Sequence, residues 1–412
     1  MRIVELQQLG PNRASEFSPP PADAPVFRYV LLKLAARCNI KCTYCYWFRD
    51  QSVYTKPPLL TLDAENALIG KLASHVLNHR IPDFFILFHG GEPLLFGKAR
   101  FRMLCHKLRY LSSQLAFRLQ LAVTTNGMLV DSEWAELFRE YSVGVTVSID
   151  GPAPVHNASR VDSQGRGTFD RVMKGLATLR SAGVEPGALA VCRPLSDPRE
   201  ICGFFVDTLG LKSFDILVPD ATHEDAPDSI AYFYKTLFDL WYDVYSSKGV
   251  RIRYLESISK GLLGIDSRSE SIGYGPTSTL TMLTDGSLEP LDVLRTAGTS
   301  MTKTAFNIFD HELQHAQRDK LWREVHDASL ALAAPCLSCA YRHACGGGHI
   351  ASRWSRARRF DNPSVYCDDI KEIMSHAWSR IAPDLRLEPL DHEAVGIADG
   401  KQSTDQPSRP HG

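Results

Sequence analysis

No apolar run in this chain is long enough to span a bilayer, and the N-terminus lacks the basic and apolar regions of a signal peptide. Neither sign of charge is in excess. Forty-six Lys and Arg stand against 47 Asp and Glu, a net charge of -1 that gives no electrostatic ground for capturing nucleic acid or a membrane surface. These absences predict a cytoplasmic protein, where thiols stay reduced and clustered cysteines point to metal rather than to disulfides. With 412 residues, 44% of them hydrophobic and 23% charged, the chain has room for a sizeable core and more than one domain.

Against that background the cysteines stand out. Seven of the ten fall in two groups, Cys38/Cys42/Cys45 and Cys336/Cys339/Cys345/Cys367, with none between Cys202 and Cys336. Cys105, Cys192 and Cys202 lie among apolar residues and read as packing. Soft thiolates select zinc, copper(I) or iron–sulfur clusters. The first group has no obvious fourth ligand for a structural zinc, although a distant histidine can serve. A cubane held by three thiolates keeps one iron open to a small molecule. On spacing, the second group suits zinc at least as well as iron–sulfur.

Strand and helix patterns alternate from Phe27 onward. Phe27–Leu34, Phe84–Phe88, Phe117–Thr124 and Val143–Ile149 read as strands, with shorter ones at Ala188–Val191 and Phe214–Val218. Leu62–Leu77 reads as an amphipathic helix opening after Thr61, and further helices follow the other strands. Such repeats imply an α/β fold with parallel strands, and in barrel-like versions the loops after the strands meet on one face. The informative residues sit in those loops: the cysteines, His89-Gly90-Gly91-Glu92-Pro93, Thr125-Asn126-Gly127, and Ser148-Ile149-Asp150-Gly151. Arg160 can clamp a carboxylate bidentately or stand as a solvated loop charge. Asp285-Gly286 marks a hairpin between Ser278–Leu283 and Leu288–Leu291.

The CxxxCxxC spacing, with Tyr44 just before the last cysteine, resembles the signature of the radical SAM enzymes, and Gly90-Gly91-Glu92-Pro93 resembles their GGEP motif. The resemblance covers about residues 27 to 220. It implies a partial (β/α)6 TIM barrel, a [4Fe–4S] cluster on Cys38, Cys42 and Cys45, and S-adenosylmethionine on its open iron. Tyr44, Gly90, Gly91 and Glu92 would then contact that cofactor. So would Asn126, Ser148, Asp150 and Arg160. The expected domains are an extended arm (1–25), the barrel (26–225), a helical linker (226–270), a C-terminal extension (271–385) and a disordered tail (386–412).

Cys336-Leu337-Ser338-Cys339, Cys345 and Cys367 resemble the SPASM extension of peptide-modifying radical SAM enzymes, and by that resemblance hold one auxiliary [4Fe–4S] cluster. Three further cysteines of the full pattern are absent. The hairpin reads Glu289-Pro290-Leu291-Asp292 and His349 occupies another of the positions, so a second auxiliary cluster is not expected. Asp292 is the expected catalytic base. It can equally be a hairpin-end aspartate bonded to nearby amides.

Cys345–His349, Phe360–Cys367 and Pro219–His223 look like the cyclophane-forming Fxs, Xye and Grr maturases. That implies a precursor peptide cross-linked between an aromatic ring and a β-carbon two residues away; the expected partners are a flavodoxin- or ferredoxin-like electron donor and, where the barrel and extension do not themselves recognise the leader, a separate leader-binding protein. His223 and His349 are candidates for the peptide channel. The alternatives are formylglycine formation of the sulfatase-maturase kind, thioether formation, and a non-catalytic zinc scaffold. His311-Glu312-Leu313-Gln314-His315 fits HExxH, but lies outside the barrel without a third ligand and is set aside.

Overall fold

The apolar run that precedes the first cysteines is buried along nearly its whole length, as a strand must be when helices cover both faces of its sheet. The computed structural model describes residues 24–385 apart from 268, 270, 299 and 300, so the expected arm (residues 24 and 25 excepted) and tail lie outside it. The strands are β1 (Tyr29–Ala35), β2 (Ile40–Cys42), β3 (Asp83–Gly90), β4 (Arg118–Thr125), β5 (Val143–Ser148), β6 (Arg160–Asp162), β7 (Gly187–Val191), β8 (Ser213–Leu217), β9 (Arg251–Ile252), β10 (Leu280–Met282) and β11 (Leu288–Glu289).

Nine of them form one sheet in the order β11-β10-β1-β3-β4-β5-β7-β8-β9, and β2 pairs separately with β6. Every pairing from β10 through β1 to β9 is parallel, and only β10–β11 is antiparallel. The six strands β1, β3, β4, β5, β7 and β8 are those expected of the partial barrel. The helix Leu62–His79 begins as its sequence announces: Thr61 caps it by accepting from the Ala64 amide, and it stops at Arg80 in a left-handed conformation. Cys105, Cys192 and Cys202 are buried in the apolar core.

Two expected domain boundaries need correction. The stretch 226–270 is not a linker. Phe233, Tyr234, Phe238, Leu255 and Ile258 belong to the main core, the Tyr234 hydroxyl donates to the Ile216 carbonyl, and β9 extends the sheet. The extension does not begin as a separate unit either. β10 pairs with β1 in register Val30–Leu280, Leu31–Thr281 and Leu32–Met282, so the hairpin completes the barrel's own sheet. The cause is burial: unpaired β1 amides in an apolar setting would each lose a hydrogen bond, and β10 supplies partners. A smaller core of Leu291, Leu294, Val325, Ile350 and Phe360 lies beyond the hairpin.

Candidate active site

The first cysteine loop leaves the end of β1 and is tied down by its neighbours. The Gly91 amide donates to the Ala35 carbonyl and the Glu92 amide to the Arg37 carbonyl, both at 2.9 Å. A Cβ on Gly90 would lie 2.3 Å from the Ala35 oxygen, and one on Gly91 2.3 Å from the Arg37 oxygen. Gly90 also has φ 150°. Only glycine fits this pair, because two backbones approach where a side chain would stand. Glu92 faces inward. Its carboxylate accepts from the Leu94 amide, the Thr125 hydroxyl and the Asn126 amide, and burial pushes its pKa up to about 7 against those bonds. The acid of the motif therefore braces the ends of β3 and β4.

Asn126 reaches the same loop from β4. Its side-chain amide donates to Asn39 Oδ1 at 2.7 Å and lies 3.8 Å from Cys38 Sγ. Tyr44 donates its hydroxyl to Asp150 Oδ2 at 2.7 Å, and Arg160 Nε sits 3.1 Å from the same oxygen. Arg160 Nη1 lies 3.8 Å from Cys42 Sγ, and β2 pairs with β6 so that Cys42 faces Arg160. Arg160 is thus a buried, paired charge and not a solvated one. Ser148 ends β5 half-buried, and its hydroxyl makes no hydrogen bond to the described residues. Burial pushes the Cys38 thiol up to about 12 and Cys42 up to about 11, and each also feels its neighbouring thiols. The three thiols feel one another's charge and cannot ionise alone, which fits a polycationic cluster spanning them that would hold them as thiolates; among the described residues no three such side chains close up on a single metal ion.

Asp292, after β11, is not bonded to nearby amides. Its Oδ2 pairs with the Lys33 ammonium and accepts from the Tyr46 hydroxyl at 2.6 Å. Burial raises its pKa, but the Lys33 charge and the two hydrogen bonds outweigh burial and hold the carboxyl well below the usual range. Lys33 also meets His89 Nδ1 at 2.9 Å and lies 4.3 Å from the Trp47 ring centroid. Arg295, paired with Glu289 at 2.7 Å, sits 4.3 Å from a Trp47 ring as well. Sequence reasoning missed Lys33. Its signal was a lone charge inside an otherwise apolar strand, on a residue type that is almost never fully buried without a partner.

Residues 32–193 match the family model described as the Radical SAM superfamily. They form a radical SAM domain.

Similarity extends past that domain. The chain is 28% identical over 378 residues to the cysteine-type anaerobic sulfatase-maturating enzyme of Clostridium perfringens (strain 13 / Type A), covering 85% of this chain and 96% of the relative. It is 29% identical over 243 residues to the serine-type enzyme of Bacteroides thetaiotaomicron, covering 52% and 57%. The solved structure of native anSMEcpe with bound AdoMet and Cp18Cys peptide superposes with a TM-score of 0.75 at 24% identity, over 86% of this chain and 98% of that one, which shows a shared fold. These relatives are sulfatase maturases. The cyclophane expectation is left without support, and its alternative, formylglycine formation, gains it.

Beyond the radical SAM domain, Cys336, Cys339, Cys345 and Cys367 line one pocket of about 390 Å³. None of the ten cysteines is in a disulfide. Burial pushes Cys345 up to about 12, and Cys367, Cys336 and Cys339 add to that rise. The three glycines after Cys345 all have positive φ, and a Cβ on Gly346 would meet the Gly273 oxygen at 2.1 Å. The set fits a buried cluster by the same reasoning as the first. His349 lines a second cavity beside Val218, Pro219 and Tyr366, whereas His223 is exposed and bonded through Nε2 to the Pro363 carbonyl. HExxH is not one helix: the 3-10 turn starts only at Leu313, and Glu312 pairs with Lys71. Among the described residues no helix is long and apolar enough to cross a membrane.

Proposed function

We propose that this protein is a radical SAM peptide maturase that oxidises a cysteine or serine side chain of a peptide to formylglycine. The observation that carries the reading is that a buried aspartate, Asp292, just past the hairpin that joins the sheet beside β1, pairs with Lys33 of β1, the strand leading into a three-thiol loop, in a chain similar to a sulfatase maturase over 96% of that relative. Cys38, Cys42 and Cys45 would hold the radical-SAM [4Fe–4S] cluster that binds S-adenosylmethionine, and Cys336, Cys339, Cys345 and Cys367 would hold one auxiliary [4Fe–4S] cluster. When bound, these cofactors supply a carbon radical able to remove hydrogen from an unactivated carbon, and a route for the second electron.

The chain's own residues do the rest. The close-packed backbone at Gly90 and Gly91 would offer peptide groups to the amino end of S-adenosylmethionine, in place of the Glu92 carboxylate. Asn126, Ser148, Asp150, Arg160 and Tyr44 would serve its remaining polar groups. Asp292 Oδ2 is engaged by Lys33 and Tyr46, while Oδ1 accepts no hydrogen bond from the described residues. Oδ1 is the atom that takes the substrate's proton. Lys33 keeps the carboxylate ionised and fixed, as preorganised electrostatics requires.

The test uses anaerobically reconstituted enzyme, a strong reductant and synthetic peptides carrying a single cysteine or serine. Oxidation is read by tandem mass spectrometry as loss of two hydrogens from serine, or exchange of the cysteine thiol for a carbonyl. Asp292→Asn is expected to keep S-adenosylmethionine cleavage and lose product; full product from it removes the base role. A ring-to-β-carbon cross-link in the fragment ions would restore the cyclophane reading over this one.

A further inference from the structure

Lys33 and His89 are register partners on β1 and β3, and their side chains meet. Along β3 the fully buried Phe84, Ile86 and Phe88 alternate with half-buried residues, and Phe88 packs edge-on to Phe101 of the helix Lys98–Leu115. His89 therefore faces the opposite side of the sheet from that helix, one residue before the Gly90–Gly91 pair. Its Nδ1 lies 2.9 Å from the Lys33 ammonium. An ammonium only donates, so Nδ1 accepts. Burial, and then the Lys33 charge, lowers the ring to about 3 against the opposing pull of Asp292, which leaves it neutral at working pH. In a neutral ring whose Nδ1 accepts, the proton sits on Nε2. That N–H meets no acceptor among the described residues.

The same ammonium holds Asp292 through Oδ2 and leaves Oδ1 free. One cation thus fixes two groups of opposite polarity, a carboxylate oxygen that accepts and an imidazole N–H that donates. The other nearby donors are spent. Lys33 is 0% exposed and its ammonium is also covered by the Trp47 ring, 4.3 Å away, while the Tyr46 hydroxyl is bonded to Asp292. Oxidising a serine side chain removes a hydrogen atom from its β-carbon, the hydroxyl proton and one electron, and turns C–O into C=O. The hydrogen atom goes to the carbon radical, the proton to Asp292 Oδ1 and the electron to the auxiliary iron–sulfur cluster. As the proton leaves, negative charge gathers on the oxygen, and a donor already fixed beside it stabilises that charge without reorganisation. Oxygen accepts such a bond well and sulfur weakly.

We propose that His89 is a further catalytic residue: its Nε2–H donates to the side-chain heteroatom of the peptide residue being oxidised, and so biases the enzyme toward serine over cysteine. The proposal rests on the reading above that one of those two residues is the substrate.

The test uses reconstituted holoenzyme and synthetic peptides identical except for one residue, serine or cysteine, with kcat/KM read from the oxidised product. His89→Met has no N–H, while its thioether remains a weak acceptor for Lys33. It should lower kcat/KM for the serine peptide about tenfold more than for the cysteine peptide, as loss of a hydrogen bond to developing charge implies. His89→Gln, which again offers an acceptor and an N–H, should restore most of the serine rate. A residue that only braced Lys33 would lower both peptides together. A second readout needs no turnover. Without reductant, fluorescence anisotropy compares labelled peptides that carry O-methylserine or norvaline at the same position, because the ether oxygen accepts but cannot donate to Asp292. The parent should bind the O-methylserine peptide about fivefold tighter, and His89→Met should bind the two alike. An unchanged serine-to-cysteine ratio in His89→Met, or equal binding of the two labelled peptides by the parent, overturns the proposal. If His89→Met loads no iron, the O-methylserine–norvaline comparison on the parent decides alone. An O-methylserine preference without any oxidised product would leave the donor standing and overturn the proposed function; product from both peptides without dependence on His89 would do the reverse.

Discussion

Replacing Lys33 by methionine keeps the length and the apolar stem of the side chain and removes only its charge. In the folded protein that leaves the Asp292 carboxylate buried beside the Tyr46 hydroxyl with no counter-ion. At an effective dielectric of about 20, opposite charges some 4 Å apart attract by about 4 kcal/mol, and removing one partner of a buried pair costs about 3–5 kcal/mol. Lys33→Met and Asp292→Asn should each lose stability in that range. The double variant should lose clearly less than the sum, with a coupling of about 3 kcal/mol, because neither charge is then stranded. Anaerobic urea unfolding of the four cycle members, followed by tryptophan fluorescence, measures this, and Trp47 next to Lys33 makes a local reporter. Single losses below about 1 kcal/mol, or strictly additive ones, would refute the claim that this pair is a buried ionic brace.

Three other outcomes follow from the geometry. Gly91→Ala should fold poorly or fail to hold the first cluster, since its Cβ would meet the Arg37 carbonyl oxygen at 2.3 Å, whereas Gly70→Ala, in the helix Leu62–His79 with open space around it, should retain iron. Reconstituted protein should contain about eight irons per chain, and a Cys336→Ser/Cys339→Ser variant about four; a count near twelve would show a second auxiliary cluster. His156 is buried and its pKa is lowered to about 4, burial first and then Arg160 driving it down. A folded value below the unfolded 6.5 means the unfolded chain binds the proton more readily, so stability is full above 6.5 and is lost as pH falls toward 4. The loss amounts to about 3 kcal/mol by pH 4, and His156→Asn should flatten the urea midpoint between pH 7 and pH 5.

The parts of the site legible in the sequence were those written in local spacing. CxxxCxxC, Gly90-Gly91-Glu92 and Asn126 announce themselves because backbone approach and thiol convergence are local demands. Direction was harder to read. Glu92 stood in the right motif, yet its carboxylate turns inward to three donors that the one-dimensional pattern does not reveal. Lys33 was hidden for a deeper reason: it matters through a partner, Asp292, that is known only once distant segments meet. The 226–270 stretch was misread as a linker because its helices look amphipathic whichever core they cover.

The seam between β1 and β10 has a consequence for how the molecule is made. Lys33 and Asp292 are 259 positions apart in the chain. A ribosome therefore releases the entire first thiol loop long before the strand that closes its edge, or the acid that neutralises its lysine, has been synthesised. Until then the nascent barrel carries an open border and a stranded ammonium, and contacts this remote are slow to form. The final shape of the first metal-binding loop is thus a late event, and a fragment ending before residue 280 should be a poor receiver of iron however complete its motifs look.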